Sequence, residues 1–569
     1  MRNGLIDIMT LVAFLALAAA CMAADADVSA GRAVFRERCA LCHVADPVDG
    51  GGAQGPSLIG VFGRHAAGDP QWTYSRALGA SNLTWDAATL SRFLAAPTTV
   101  VPGTAMVVAV PEADVRRQLI TYFQSVAHST ATPVVSAAPV GAADWREDHP
   151  GRLHHISAAA LPAPFASESH RNPPKLVEPP PNAKLAVPPG FHVDVFARDL
   201  MGPRRMLAAA NGDVLVSETS GGRVTVLRPS ADATLGPSRS VFASGLHGPF
   251  GLAFYPDASH PQWLYVAETN RVVRYAYSTG DLVARGAPEI VVPSLPAGGG
   301  HSTRDIVFSP DGTRFYVSVG SGSNVAEQMP KKSVADAKQW DERHSLGAAW
   351  GTETNRADVL VFSTEQPTGI AIYATGLRNC VGLTRRPGSP DLWCTVNERD
   401  GMGDDLVPDY STHLEQGLFY GWPWYYLGAN EDPRLAGERP DLRGQVTVPD
   451  VLYQAHSAPL NLDFYVATQG CSAFPADYVG DAFVTFHGSW NRAFRTGHKL
   501  VRVRMQAGRA SGNYEDFLTG FIVDDGDAWG RPVATVELAD GSLLMSDDGA
   551  NLIYRISYGD GCAVRHGGG

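Results

Sequence analysis

Ser309-Pro310-Asp311-Gly312, followed at once by Phe315-Tyr316-Val317, is a tight turn running into an apolar strand. Pro presets φ at the corner, Asp bonds back to the backbone, and Gly accepts the left-handed residue that ends the turn. The chain repeats this unit. Asn211-Gly212-Asp213 precedes Val214-Leu215-Val216, and Tyr255-Pro256-Asp257 precedes Leu264-Tyr265-Val266. The stretch Arg386 to Asp391 precedes Leu392-Trp393-Cys394, and Pro475 to Asp481 precedes Ala482-Phe483-Val484. Ala539-Asp540-Gly541 precedes Leu543-Leu544-Met545. Six such units, spaced by about 45 to about 90 residues, predict a mainly β chain whose residues 190–560 form a six-bladed β-propeller. Two packed sandwiches would not explain the recurrence. Strand Phe191–Phe196 is expected to pair with the last blade and close the ring. The chemistry is then expected in loops at one end of a central channel.

Composition agrees. The hydrophobic fraction is 44%, enough for a large core and incompatible with global disorder. Gly 59 and Pro 40 fit many turns between short strands. The net charge is -12, and no Lys precedes Lys175, which excludes a general phosphate-binding surface and a basic nucleic-acid arm.

Outward from the propeller, the chain changes character twice. Residues 129–189 are rich in Pro and Ala and read as an extended linker, anchored along the next domain by Trp145, Ile156 and Phe165. Residues 28–128 read as a small all-α domain, with apolar periodicity over 28–38, 87–95 and 112–126. Residues 1–24 read as a signal peptide: Arg2, an apolar run from Ile8 to Ala20, then small residues. An uncleaved anchor or lipidation of Cys21 are the alternatives, and membrane association is expected only through one of them. Either way a periplasmic or secreted location follows, with oxidising conditions.

Cys39-Ala40-Leu41-Cys42-His43 has the spacing that joins two thiols to haem vinyl groups and brings an imidazole to the iron. A zinc half-site is the competing reading, but no second Cys/His pair lies at zinc spacing. Met106, in Pro102-Gly103-Thr104-Ala105-Met106, is the expected sixth ligand, a soft thioether that raises the potential. His65 and His128 are rivals. With Gly55-Pro56-Ser57-Leu58, Arg64, Tyr74-Ser75 and Leu83-Thr84-Trp85, this stretch resembles a class I cytochrome c of the mitochondrial type. The resemblance implies that the Pro56 carbonyl orients His43 and that Arg64 and Trp85 approach the propionates. The family's lysine rim is missing.

In the propeller, no G-x-G-x-x-G follows a strand, so a Rossmann-bound nicotinamide or flavin is not expected. The polar turns are Gly298-Gly299-Gly300-His301, Thr375-Gly376-Leu377-Arg378-Asn379, and Asn397 to Asp405 followed by Tyr420-Gly421-Trp422-Pro423. Ser489-Trp490-Asn491-Arg492 and Trp529-Gly530-Arg531-Pro532 add arginines. Together these turns resemble the soluble quinoprotein glucose/sorbosone dehydrogenases, above all the sorbosone or pyranose branch. That resemblance implies pyrroloquinoline quinone (PQQ) and Ca2+. It makes His301 the general base, sets Arg378 and Asn379 against the quinone oxygens, and ligates calcium through the carbonyls of Asp400 and Gly401. Asn491, Arg492 and Arg531 would meet the cofactor's carboxylates, with Arg204 and His247 as further candidate cofactor contacts. The expected function is an exported quinohaemoprotein dehydrogenase that oxidises a sugar or a sugar-derived aldehyde or hemiacetal. Electrons would pass to its own haem c and then to a cytochrome or the respiratory chain. A calcium-dependent propeller lactonase and a non-catalytic electron carrier are the alternatives. Among the remaining cysteines, Cys380 with Cys394 and Cys471 with Cys562 are the expected bridges, with free buried thiols as the alternative.

Overall fold

The computed structural model describes residues 27–126 and 145–559, less 36–37, 40–42, 44, 46–54, 70–71, 73, 105, 107, 231–235 and 327. The signal peptide, Cys42, His128 and Cys562 lie outside the described residues. Among the described residues no helix is long and apolar enough to cross a membrane.

Each of the six repeated units supplies the second strand of one blade. These strands are Val214–Glu218, Trp263–Glu268, Arg314–Val319, Leu392–Val396, Ala482–Phe486 and Leu543–Asp547. Four of the six are buried along their whole length, because a blade is packed face to face with a neighbour on each side. The innermost strands Pro203–Ala208, Leu252–Tyr255, Ile306–Phe308, Cys380–Arg385, Pro459–Phe464 and Pro532–Glu537 touch one another in sequence and return to the first, giving a closed ring of blades 1 to 6. Closure comes from Phe191–Ala197, which pairs antiparallel with Leu552–Tyr558 and completes blade 6 around the two chain ends. Phe250, Val381, Leu460, Val533 and Ala534, all within the ring of inner strands, form one apolar cluster. Cys380 and Cys394 are disulfide-bonded with their Cα atoms 5.8 Å apart. Cys471 is also disulfide-bonded.

From Trp145 onward, the Pro-rich segment is part of the propeller rather than a bare linker. Leu153–His155 adds a fifth strand to blade 5 by pairing with Asn513–Leu518. Trp145 Nε1 donates to Asp525 at 2.8 Å. Lys499, itself buried, bridges Asp148 at 2.9 Å and Asp516 at 2.7 Å, so an ammonium holds the strap down. Ile156 packs on the core of blade 4, but Phe165 is 57% exposed and anchors only through its backbone N–H, which donates to Met402.

Two long insertions leave blades 3 and 4. One runs from Gly320 to Ala357 and carries helix Val334–His344, which no apolar period announced because only Ala337 is buried. The other spans 415–450. Their aromatic residues Trp350, Phe419, Trp422, Trp424 and Tyr425 pack together as one cluster.

The N-terminal unit is helical at 27–35, Ala87–Ala95 and Ala113–Ser125. Asp86 caps the second helix, its carboxylate accepting from Thr89 N at 2.7 Å. Phe35, Tyr122 and Phe123 meet at 5.6–5.9 Å and join the first helix to the third.

Candidate functional site

In a blade whose strands alternate in direction, the start of the first strand and the end of the second lie at the same end of the channel. That places Arg204, His301, Arg378, His456 and Arg531, which open or precede first strands, beside Asn324, Asp400, His487, Asn491 and Asp548, which follow second strands. Two clusters result.

The first is built around His301, which is 7% exposed. Its Nδ1–H donates to the Ser321 carbonyl at 2.8 Å, with Ser321 Oγ at 3.1 Å. A carbonyl only accepts, so the proton sits on Nδ1 and the lone pair on Nε2. Burial, then the neighbouring Arg378 charge, holds the imidazole pKa well below its ordinary value. Gly320 makes this approach possible: a Cβ there would lie 2.7 Å from His301 Cβ and 2.3 Å from Asn379 Oδ1.

Arg378 is 2% exposed, and all its N–H donors have acceptors in the surrounding loops. Nε donates to the Asn324 carbonyl at 3.2 Å. Nη1 donates to the carbonyls of Asn397 at 3.2 Å and Glu398 at 2.5 Å. Nη2 donates to Asn324 Oδ1 and Asp400 Oδ2, both at 2.9 Å. Arranged this way it braces three loops. Burial would raise the Asp400 carboxyl, but Arg378 and His456 outweigh it and hold the pKa at about 2. The other Asp400 oxygen accepts from Asn491 Nδ2 at 2.6 Å and lies 3.4 Å from His456 Nδ1.

Of the two carbonyls expected to hold calcium, that of Asp400 is engaged within the chain. The Asp400 carbonyl already accepts from Asn324 Nδ2 at 3.0 Å and Arg434 Nη1 at 2.9 Å. A Cβ on Gly401 would lie 3.4 Å from the same Arg434 nitrogen. The Asp400 carbonyl thus already has two donors from within the chain. Arg492 is likewise held within the chain. It is 2% exposed, and its guanidinium is spent on the Asp404 carbonyl at 2.5 Å, Asp405 at 2.8 Å and the Phe494 carbonyl at 3.2 Å. It pins the loop that carries Asn491.

The second cluster gathers Arg204, Arg531, His487 and Asp548. His487 Nε2–H donates to Asp548 at 2.7 Å, and its Nδ1 accepts from Arg531 Nη2 at 2.8 Å. Burial and Arg531 push the His487 pKa down to about 4, so the ring is neutral. Arg204 lies 3.8 Å from Asp548 and 5.1 Å over the Phe250 ring, and its buried Nε has no hydrogen-bond partner. Burial lowers both arginines, Arg531 to about 10.

Three buried polar atoms are therefore left over: Arg204 Nε, Asn379 Oδ1 and Asn491 Oδ1. A ligand bound here would supply the partners these atoms lack. A planar polyacid with ring N–H and carboxylate groups matches a set of amide oxygens and arginines. Asn324, His456, Arg434 and the His487–Asp548 pair carry no local motif and were missed by sequence reading.

In the helical unit, His43 Nδ1–H donates to the Pro56 carbonyl at 2.8 Å, as expected for a proximal ligand. Gly55 lies against the same ring, where a Cβ would be 2.4 Å from His43 Cε1. Cys39 is buried, and Met106 packs against the helical core. Trp85 is buried on Phe93 at 5.0 Å, and Arg64 donates to the Ser57 carbonyl. His65 is exposed and bonds Thr84 at 3.0 Å, so it faces away from the core.

Fold and site together define a six-bladed propeller with a buried histidine–arginine cluster, preceded on the same chain by a cytochrome-like helical unit. The family model described as TrAA12-like matches residues 185–410 and 441–557, and the chain belongs to that family. The cytochrome c of Tetrahymena pyriformis is 40% identical over 103 residues, 18% of this chain and 91% of that protein, so the N-terminal segment belongs to the cytochrome c family. An uncharacterized protein of Borreliella burgdorferi is 25% identical over 387 residues, 66% of this chain and 91% of that protein. Among solved structures, the holo PQQ domain of pyranose dehydrogenase from Coprinopsis cinerea superposes with a TM-score of 0.53 at 20% identity, covering 67% of this chain and 98% of that one. The calcium structure of the family AA12 enzyme from Trichoderma reesei gives 0.53 at 18% identity over the same shares. At these identities the two structures establish the fold.

Proposed function

We propose that this chain is an exported, PQQ-dependent dehydrogenase that oxidises a sugar or a sugar-derived aldehyde or hemiacetal and delivers the electrons to its own haem c. The observation that carries the reading is His301: a buried imidazole with its proton fixed on Nδ1 by Ser321, its Nε2 lone pair available, and Asn379 close beside it. PQQ, when bound, supplies a quinone that takes up a hydride, and haem c carries single electrons.

The chain's residues do the rest. His301 Nε2 takes the substrate's hydroxyl proton, and its lowered pKa keeps that nitrogen free at neutral pH. Arg378 positions Asp400 and Asn324 and keeps His301 neutral. Asn379 and Asn491 offer amide oxygens to the cofactor, and Arg204 and Arg531 meet its carboxylates. Cys39 and Cys42 would hold the haem, with His43 and Met106 as axial ligands. The apolar run at 8–20 and the Cys380–Cys394 bridge support export, since such bridges persist outside the reducing cytosol. The likeness in fold to the PQQ domain of a pyranose dehydrogenase supports the sugar substrate.

The test is His301→Ala in the full chain. Sugar-driven haem reduction should fall by about 10²–10⁴-fold while a small chemical reductant still reduces the haem. Reduction within about tenfold of the parent rate would remove His301 from the base role.

A further inference from the structure

Asp404 is where the Pro-rich segment ahead of the propeller meets two loops of the site. Its buried carboxylate accepts three N–H donors. His170 supplies two of them, its backbone N–H to Oδ1 and its ring Nδ1–H to Oδ2, both at 2.9 Å. The third is the Ala493 N–H, at 2.8 Å from Oδ2. A carboxylate only accepts, so the His170 ring carries a hydrogen on Nδ1. The Asp404 backbone is held as well. Its N–H is shared between Ser167 Oγ at 3.0 Å and the Glu168 carbonyl at 3.1 Å, and its carbonyl accepts from Arg492.

The neighbouring bonds extend the same attachment. Gly403 N–H donates to Ser169 Oγ at 2.8 Å, and a Cβ on Gly403 would lie 2.8 Å from Ser167 Oγ, so the segment rests directly on the loop. Asn172 N–H donates to the Trp490 carbonyl at 2.7 Å, and its Nδ2 donates to the Ala493 carbonyl at 3.1 Å. Residues 167–172 thus bond to the loop that carries Asp400 and to Trp490 and Ala493, which lie on either side of Asn491. Those two loops meet where Asn491 Nδ2 donates to Asp400 at 2.6 Å, and Asn491 Oδ1 is one of the buried atoms left for a ligand. Residues 167–172 lie upstream of residue 185, where the family match begins, so no role comes to them from the family.

We infer that residues 167–172 are a positioning clamp for the cofactor pocket and that the His170 ring is its closing bond. By drawing Asp404 against Ala493, the clamp fixes Asn491 beside Asp400 and holds the Asn491 Oδ1 acceptor in place before the cofactor arrives. Hydrogen bonds to a carboxylate are among the stronger ones, and loops ordered in advance spare binding the entropy of ordering them. The clamp acts through the two loops and not on the reacting atoms. That the pocket takes PQQ rests on the proposed function; the attachment of the loops does not.

The test compares the full chain with its His170→Ala and His170→Asn variants by two readouts, amide hydrogen exchange without cofactor and calorimetric titration with PQQ. The Asn side-chain N–H takes the place of Nδ1–H. In His170→Ala, exchange at Gly403, Asp404 and Ala493 should speed by at least about tenfold, with the blade 1 strand Val214–Glu218 unchanged, and PQQ should bind at least about tenfold more weakly. His170→Asn should recover most of both. Should His170→Ala fail to fold, Ser169→Ala, which removes an exposed acceptor from the same loop, should show the faster exchange and the weaker binding. Unchanged exchange in the two loops would overturn the clamp. Faster exchange with unchanged PQQ affinity would overturn its role in the pocket, and no recovery in His170→Asn would overturn the part given to the ring. A parent chain that does not bind PQQ would refute the proposed function instead, and hydrogen exchange would still decide whether His170 holds the loops.

Discussion

Gly320→Ala tests the geometry of the catalytic pocket with one added methyl group. Gly320 follows the strand Arg314–Val319 and has no left-handed φ to lose, so the cost is steric alone. Contacts at a Cβ become ordinary at 3.4 Å. The new Cβ would meet His301 Cβ at 2.7 Å and Asn379 Oδ1 at 2.3 Å, so these atoms must retreat by about 0.7 and about 1.1 Å. Displacement of a reacting group by about 1 Å costs on the order of 10²-fold in rate. The strain of overpacking adds about 1–3 kcal/mol of destabilisation. Sugar-dependent haem reduction should therefore slow by about 30–100-fold, mostly in kcat, with the haem spectrum unchanged. A folded Gly320→Ala protein turning over within about threefold of the parent would show that His301 and Asn379 do not need this spacing.

Other outcomes follow from the same structure. His301 works unprotonated and its pKa is lowered, so kcat/KM should stay level as pH falls through the ordinary imidazole range and drop only further down; an acid limb at or above about 6.5 would contradict this. Met106→Ala should lower the haem potential and abolish the sulfur-to-iron absorption band, and an unaltered spectrum would exclude Met106 as ligand. Replacing Cys380 and Cys394 together with Ala opens a loop of 14 residues and should cost about 3 kcal/mol in denaturant unfolding; a change below about 1 kcal/mol would mean that the bridge contributes little.

The fold was largely legible because each blade repeats one local signal. Turn residues at Asp213, Asp257, Asp311 and Asp540 stand just before strands buried on both faces, and no tertiary contact is needed to see that period. Helix Val334–His344 was not legible, because a helix that buries only Ala337 has no apolar stripe. The ordering of residues 145–189 on the propeller was only half visible. Trp145 announces itself, but the Lys499 bridge to Asp148 joins residues too far apart in sequence to be paired by reading. For the site, the loops were found and the partners were not. His301 and Asn379 both lie against Gly320. Arg378, Arg492 and Asp400 carry the right residue types, but their atoms are committed to Asn324, Asp405 and Arg434, which belong to other loops and carry no signature. Motif spacing reports which loops converge, while the direction each donor faces is settled by packing between blades.

The central claim is that sugar oxidation in the propeller empties into the haem of the same chain. Stopped-flow mixing of PQQ-loaded protein with substrate, followed at the haem absorption over a roughly tenfold range of protein concentration, tests it directly. The account predicts haem reduction at a first-order rate independent of protein concentration, because fusion replaces diffusional encounter with a fixed local concentration. A rate rising in proportion to protein concentration, or haem that stays oxidised while sugar is consumed, would contradict it.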